Sequence, residues 1–232
     1  MFSKFLTSAL FAGAVAGLIA GLLQLVFVQP VLLHAELYES GELLHFGGDL
    51  VTAHPILPGF DAVRDGLSLI FTMLTYTGYA LILVAVMSVA EGRGARIDGR
   101  IGMMWGIAGF VTFHLAPAFT LAPEVPGVAA AEISARQIWW FATVAAAGVA
   151  LWLITFAHSW ALRGLAVVLL AAPHLIGAPE PDSFTGSVPP EIAALFAARA
   201  LGVGLAAWVL LGAFAGYFWR REAAQGTASV GA

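Results

Sequence analysis

The sequence predicts an all-α integral membrane protein with six transmembrane helices, arranged as three pseudo-repeated helical hairpins with both termini cytoplasmic. Three observations carry that expectation. The 232 residues are 60% hydrophobic and only 10% charged, with a mean hydropathy of +0.91, whereas a soluble domain is nearer half apolar and a quarter charged. Six apolar stretches alternate with polar segments rich in Gly and Pro. The basic residues are also asymmetric. Lys4, Arg93, Arg96, Arg100, Arg163, Arg220 and Arg221 share one side of a six-span chain, while the other side has mainly Arg64 and Arg136 and most of the acids. The positive-inside rule makes the first side cytoplasmic. Omitting the short fifth stretch would put the Arg220-Arg221 pair outside, so six crossings fit better than five. Residues 1–232 read as a single membrane domain.

The first span is expected over about 5–33. Lys4 followed by small apolar residues resembles a secretory signal, but the run continues through LLQLVFVQPVLL, too long for a signal core, so the helix is read as retained. Gly13, Gly17 and Gly21 form a small-residue ridge that lets another helix approach closely. A polar segment follows, with Glu36, Glu39, Glu42, His45, Asp49, His54 and Asp61. Gly47-Gly48, Pro55 and Pro58 mark it as loop, although HAELYE can extend the first helix by a turn. The second span covers about 66–90 and leads into the basic turn EGRGARIDGR.

The third span, about 101–121, holds His114 in its last turns, where Pro117, Pro123 and Pro126 make the exit irregular but rigid. Glu124, Glu132 and Arg136 lead to the fourth span, about 137–156, and His158 and Arg163 lie in the turn after it. The fifth stretch, 164–176, is short for a crossing of ~20 residues. It ends in Pro173-His174 and the acidic loop APEPDSFTGSVPPE. The last span, about 192–219, carries Gly212 and Gly216. Trp139, Trp140 and Trp219 sit near span ends, as anchoring aromatics do.

Taken as hairpins, the chain repeats over about 5–90, 101–157 and 164–219. Each odd span closes on a histidine (LLHAE at His34, FHLAP at His114, PHLIGAP at His174) followed by an acidic loop. Each even span opens on an acid and then an arginine: Arg64, Arg136 and Arg199. Repeats of this kind place a transporter's site at the repeat interface. Ionisable rings at membrane depth are expensive and mark functional sites by default. Three imidazoles gathered near one axis at the outer face, with carboxylates around them, would suit cobalt, nickel or zinc. The candidate metal ligands are therefore His34, His114, His174, Glu36 and Glu124, with the glutamates as ligands or proton acceptors. The arginines are expected to pair with loop acids, and His45, His54 and His158 to be solvated.

Several function classes are excluded. Without cysteine there are no disulfides, thiolate metal sites or cysteine nucleophiles. A net charge of −4 offers no basic stripe for nucleic acid, and no Walker A string is present for nucleotide.

The strings QPVLLHAELYE, HLAPAFTLAPEVPG and APHLIGAPEPDSFTG resemble those of the CbtA family, predicted bacterial cobalt transporter subunits, and the similarity runs along essentially the whole chain. That resemblance implies a multi-pass inner-membrane protein that imports cobalt alongside a small single-span subunit rich in histidine. His34, His114 and His174 match the family pattern directly. The expected function is thus uptake of a divalent transition metal, cobalt first and nickel second, bound transiently as cargo with no permanent cofactor and no enzymatic role. Two other classes stand beside it. One is an intramembrane histidine-ligated metalloenzyme, against which the absence of HExxH weighs; the other is a non-transporting scaffold or assembly subunit. In the inner half of the bundle the sequence offers almost no polar residues beyond Gln24, Ser68, Thr72, Thr75 and Thr77.

Overall fold

The computed structural model describes residues 2–45 and 54–228. Gly47-Gly48 and Asp49 of the first predicted loop lie outside the described residues. Among those described, every regular element is helical, and the only extended pairing is an isolated antiparallel bridge between Val128 and Gly186. In chain order the helices are α1 (Phe2–Leu23), α2 (Gln29–Glu39), α3 (Ala62–Glu91), α4 (Gly99–Phe110), α5 (Ala116–Ala118), α6 (Ile133–Phe156), α7 (Trp160–Ile176) and α8 (Pro190–Ala228). Five stretches are long and apolar enough to cross a membrane: Lys4–Glu39, Ala62–Glu91, Gly99–Ala118, Ile133–Phe156 and Pro190–Ala223. The fifth predicted span is helical as α7, but at 17 residues it falls short of the ~20 of a full crossing. HAELYE does extend the first helix, and the last helix continues well past Trp219.

Helix starts follow from capping side chains that satisfy orphan N–H groups. Asp61 accepts from the amides of Val63 at 2.9 Å and Arg64 at 2.7 Å, and Asp65 returns the favour by accepting from the Asp61 amide at 3.0 Å. Asp98 caps α4, and Ser159 caps α7. Glu132 caps α6; hydrogen bonds from the Ser134 hydroxyl and the local backbone hold its carboxyl below the usual carboxylate range.

The first and third crossings are each interrupted by one wide π turn, over Gln24–Val28 and Val111–Leu115. Both turns end two residues before a proline, Pro30 and Pro117. The cause is the missing proline N–H: the carbonyl four residues earlier loses its helical donor, and the turn widens. α7 contains Pro173 near its end without a π turn. These breaks bear on the threefold alignment. In π register His114 stands where Phe27 stands, whereas His34 comes four residues after Pro30 and His174 one after Pro173. The three histidines therefore stand at different distances from the proline of their helix.

The chain divides into two compact units, one from residues 1–25, 60–110 and 202–232 and one from 26–59 and 111–201. In the first, α1 runs antiparallel to α3 through the predicted glycine ridge. Gly13 faces Thr77, Gly17 faces Met73 and Gly21 faces Leu69, and a Cβ on Gly17 would lie 2.6 Å from the Met73 Cα. α4 crosses α8 in the same way, with Gly102 against Gly212 and Gly106 and Gly109 against Trp208. At one end of this unit the Lys4 ammonium lies 3.9 Å above the Trp219 ring and 3.6 Å from Glu91, and Trp219 Nε1 donates to Glu91 at 3.0 Å. The start of α1, the end of α3 and the late turns of α8 thus meet at one level. In the second unit Ala35, Tyr38, Val125 and Val188 form a buried cluster, joined by Ile192, Ala193 and Phe196.

Candidate metal-binding histidines

His34 lies on α2, the segment that resumes after the first π turn. Its ring stacks on Tyr38 with centroids 5.6 Å apart. Its Nε2 is shielded from solvent and has no hydrogen-bond partner among the described residues. An imidazole nitrogen left in that state retains its capacity to bind a proton donor or a metal. Glu36, two residues on, is exposed. Residues two apart on a helix do not share a face, so its carboxylate is not a natural partner for His34.

His114 is part-buried within the second π turn itself. His174 is the most elaborately held of the three. Its Nδ1 and the Thr120 hydroxyl are hydrogen-bonded at 3.0 Å, and its ring meets Phe119 and Trp139 edge-on at 5.0 and 6.0 Å. Trp139 Nε1 in turn donates to the Pro173 carbonyl at 3.3 Å. If Nδ1–H donates to Thr120, Nε2 presents a lone pair in a fixed direction, the arrangement in which a second contact orients a metal ligand. Thr120 was not among the sequence candidates; it is a plain threonine in a loop, and only the fold brings it to His174.

Glu124 is engaged in an ion pair with Arg136 at 2.6 Å. That is the loop-acid pairing expected for this arginine. Arg64 instead binds its neighbour Asp65 through two contacts, at 2.7 and 3.2 Å. Arg199 departs from the expectation altogether: its Nη1 donates to the Phe27 carbonyl at 3.1 Å. The reason is its place in α8, about two and a half turns beyond Pro190 and out of reach of a loop. His54, read from sequence as solvated, is exposed.

The five candidates do not form a coordination sphere. Among the described residues no group of three or more His, Asp or Glu side chains is placed to hold a metal ion. What the structure brings together is smaller: His34 with Tyr38, His174 with Thr120, and Glu124 with Arg136. Because Glu124 already has a cation, Arg136→Gln is expected to strengthen cobalt binding up to about fivefold if Glu124 is a ligand, the equivalent of an exposed ion pair of about 1 kcal/mol. Titration of the purified variant beside the parent protein checks this; unchanged or weaker binding removes Glu124 from the ligand set.

Compared with known families, the chain matches the CbtA model, described as a probable cobalt transporter subunit, over residues 2–220. No curated protein and no solved structure matches it.

Proposed function

The chain belongs to the CbtA family of probable cobalt transporter subunits, and from that premise we propose that it carries a divalent transition metal, cobalt first, inward across the bacterial inner membrane. The observation that carries the reading is the placement of each histidine within one turn of a proline in or beside its helix. His114 lies in a π turn, His174 directly follows a proline within α7, and His34 stands one turn beyond Pro30. Proline deprives a membrane helix of backbone hydrogen bonds that its surroundings must replace, and transporters build ion sites on interrupted helices.

In this reading the outer-loop acids gather the cation, and His34, His114 and His174 take it over in turn, with Glu36 and Glu124 as the candidate carboxylates. Successive weak sites suit a cargo that must also leave. A membrane potential negative inside favours entry of a divalent ion by about 4.6 kcal/mol per 100 mV, so no nucleotide is required. A small single-span, histidine-rich subunit is the proposed partner, and the protein holds no permanent cofactor.

Six crossings with both termini cytoplasmic complete the reading, with α7 as the fifth, beside the five longer apolar stretches. The junction of Lys4, Glu91 and Trp219 supports it: a chain whose first and last crossings share an end must cross an even number of times.

The test is equilibrium binding of cobalt, nickel and zinc to tag-free purified protein, beside the His34, His114 and His174 triple alanine variant. Exchangeable binding that disappears in the variant is the expected result. Zinc retained stoichiometrically through purification would favour the metalloenzyme, and binding that does not depend on the histidines would overturn the site.

A further inference from the structure

Arg199 carries a permanent charge within an apolar stretch, LFAARALGVG, and among the described residues no carboxylate lies within ion-pair distance of it. A guanidinium at such depth is costly unless something requires it. Its hydrogen bond goes to the carbonyl of Phe27, inside the π turn that Pro30 provokes. A π turn holds one residue more than an α-helical turn. Were Gln24–Val28 to tighten to regular α-helix, everything beyond would rotate by about 100° and shift by about 1.5 Å along the axis. The segment beyond is α2, and it bears His34.

We infer that Arg199 is a positioning residue: by donating to the Phe27 carbonyl it holds the π turn open and so sets the direction in which His34 faces. α8 then braces the outer part of the first crossing at two levels. Above, Ile192, Ala193 and Phe196 pack on the cluster that Ala35 and Tyr38 form with Val125 and Val188; below, Arg199 holds Phe27. Apolar contact at the upper level tolerates sliding and rotation, whereas the hydrogen bond is directional and fixes the register. The inference rests on the transport reading only in giving His34 an ion to bind; the rotation itself does not depend on it.

The absence of cysteine makes the test direct. Spin labels on Ser40→Cys, at the end of α2, and Glu191→Cys, in the first turn of α8, report the rotation as a distance. Arg199→Gln is expected to shift or broaden that distance by about 5 Å, the displacement of a side chain carried through about 100° at a helix surface. Arg199→Lys, which retains a charged donor, is expected to stay closer to the parent. Pro30→Ala, which restores the missing N–H and leaves Arg199 in place, is expected to move the distance in the same way. An unchanged distance in both Arg199→Gln and Pro30→Ala overturns the inference.

Cobalt titration of the same proteins separates the two readings. With the distance displaced, Arg199→Gln is expected to weaken binding about tenfold, as loss of a residue that orients a ligand does, and His34→Ala added to it to cost nothing more. A displaced distance with cobalt binding indifferent to His34→Ala would leave Arg199 as the positioning residue and remove His34 from the metal site. Additive losses for the two substitutions would overturn the link from Arg199 to His34.

Discussion

Replacing His114 and His174 together by alanine is expected to reduce cobalt uptake to the level of cells lacking the protein, a loss of at least about tenfold, while the amount of protein in the membrane stays unchanged. The size of the effect follows from the chemistry. Imidazoles are the only strong nitrogen ligands in a chain without cysteine, and carboxylates alone bind first-row cations at the end of this row too weakly to replace them. Both rings are part-buried rather than core residues, and His174 gives up a hydrogen bond to Thr120, worth about 1 kcal/mol, together with its edge contacts to Phe119 and Trp139. Uptake per membrane-inserted molecule is the measurement, and uptake that persists in the double variant removes these histidines from the path.

The second large effect is on stability. Gly102→Leu or Gly106→Leu is expected to unfold the protein or to lower its stability by about 3 kcal/mol or more. A Cβ at Gly102 would fall on the carbonyl oxygen of Gly212, and one at Gly106 on that of Trp208. Neither obstacle is a flexible side-chain tip that can swing aside; both are backbone, so α4 and α8 would have to part. Gly78→Ala is the control. Nothing lies within 4 Å of a Cβ there, and alanine is favoured over glycine in a helix interior by about 0.5–1 kcal/mol. Thermal melts in detergent should place the two substitutions on opposite sides of the parent; a leucine at Gly102 with an unchanged melt would contradict the close crossing.

Much of this arrangement was legible in the residues themselves. Apolar runs give the helices, because composition is local, but the spans expected from about 66, 101, 137 and 164 begin two to four residues earlier, where Asp61, Asp98, Glu132 and Ser159 cap them. The GxxxG ridges at Gly13–Gly21 and Gly212–Gly216 announced close packing, and both are used so. Register was less accessible. Pro30 and Pro117 were visible, but whether a missing N–H produces a kink, a stop or a π turn depends on what receives the freed carbonyls. At the first turn the Phe27 carbonyl is taken by Arg199 on α8, a residue 172 positions further along the chain. The same holds for the site. Matching strings placed His34, His114 and His174 side by side on paper, yet a π turn adds one residue to a helix and so changes which side chain occupies a given face. Thr120 carried no signal at all, since a lone loop threonine acquires meaning only from the ring that it touches.

The junction of Lys4 with Trp219 has a consequence for biogenesis. Its two partners are separated by almost the whole chain, so it cannot form until the last helix has emerged from the ribosome and entered the bilayer. The glycine face of α4 waits equally long for Trp208 and Gly212, and until then lipid must occupy the groove. This unit is therefore sealed by its C-terminal helix, in a late step of high sequence separation. A nascent chain arrested before α8 has every earlier crossing but no closed bundle, which makes it the form most exposed to membrane quality control.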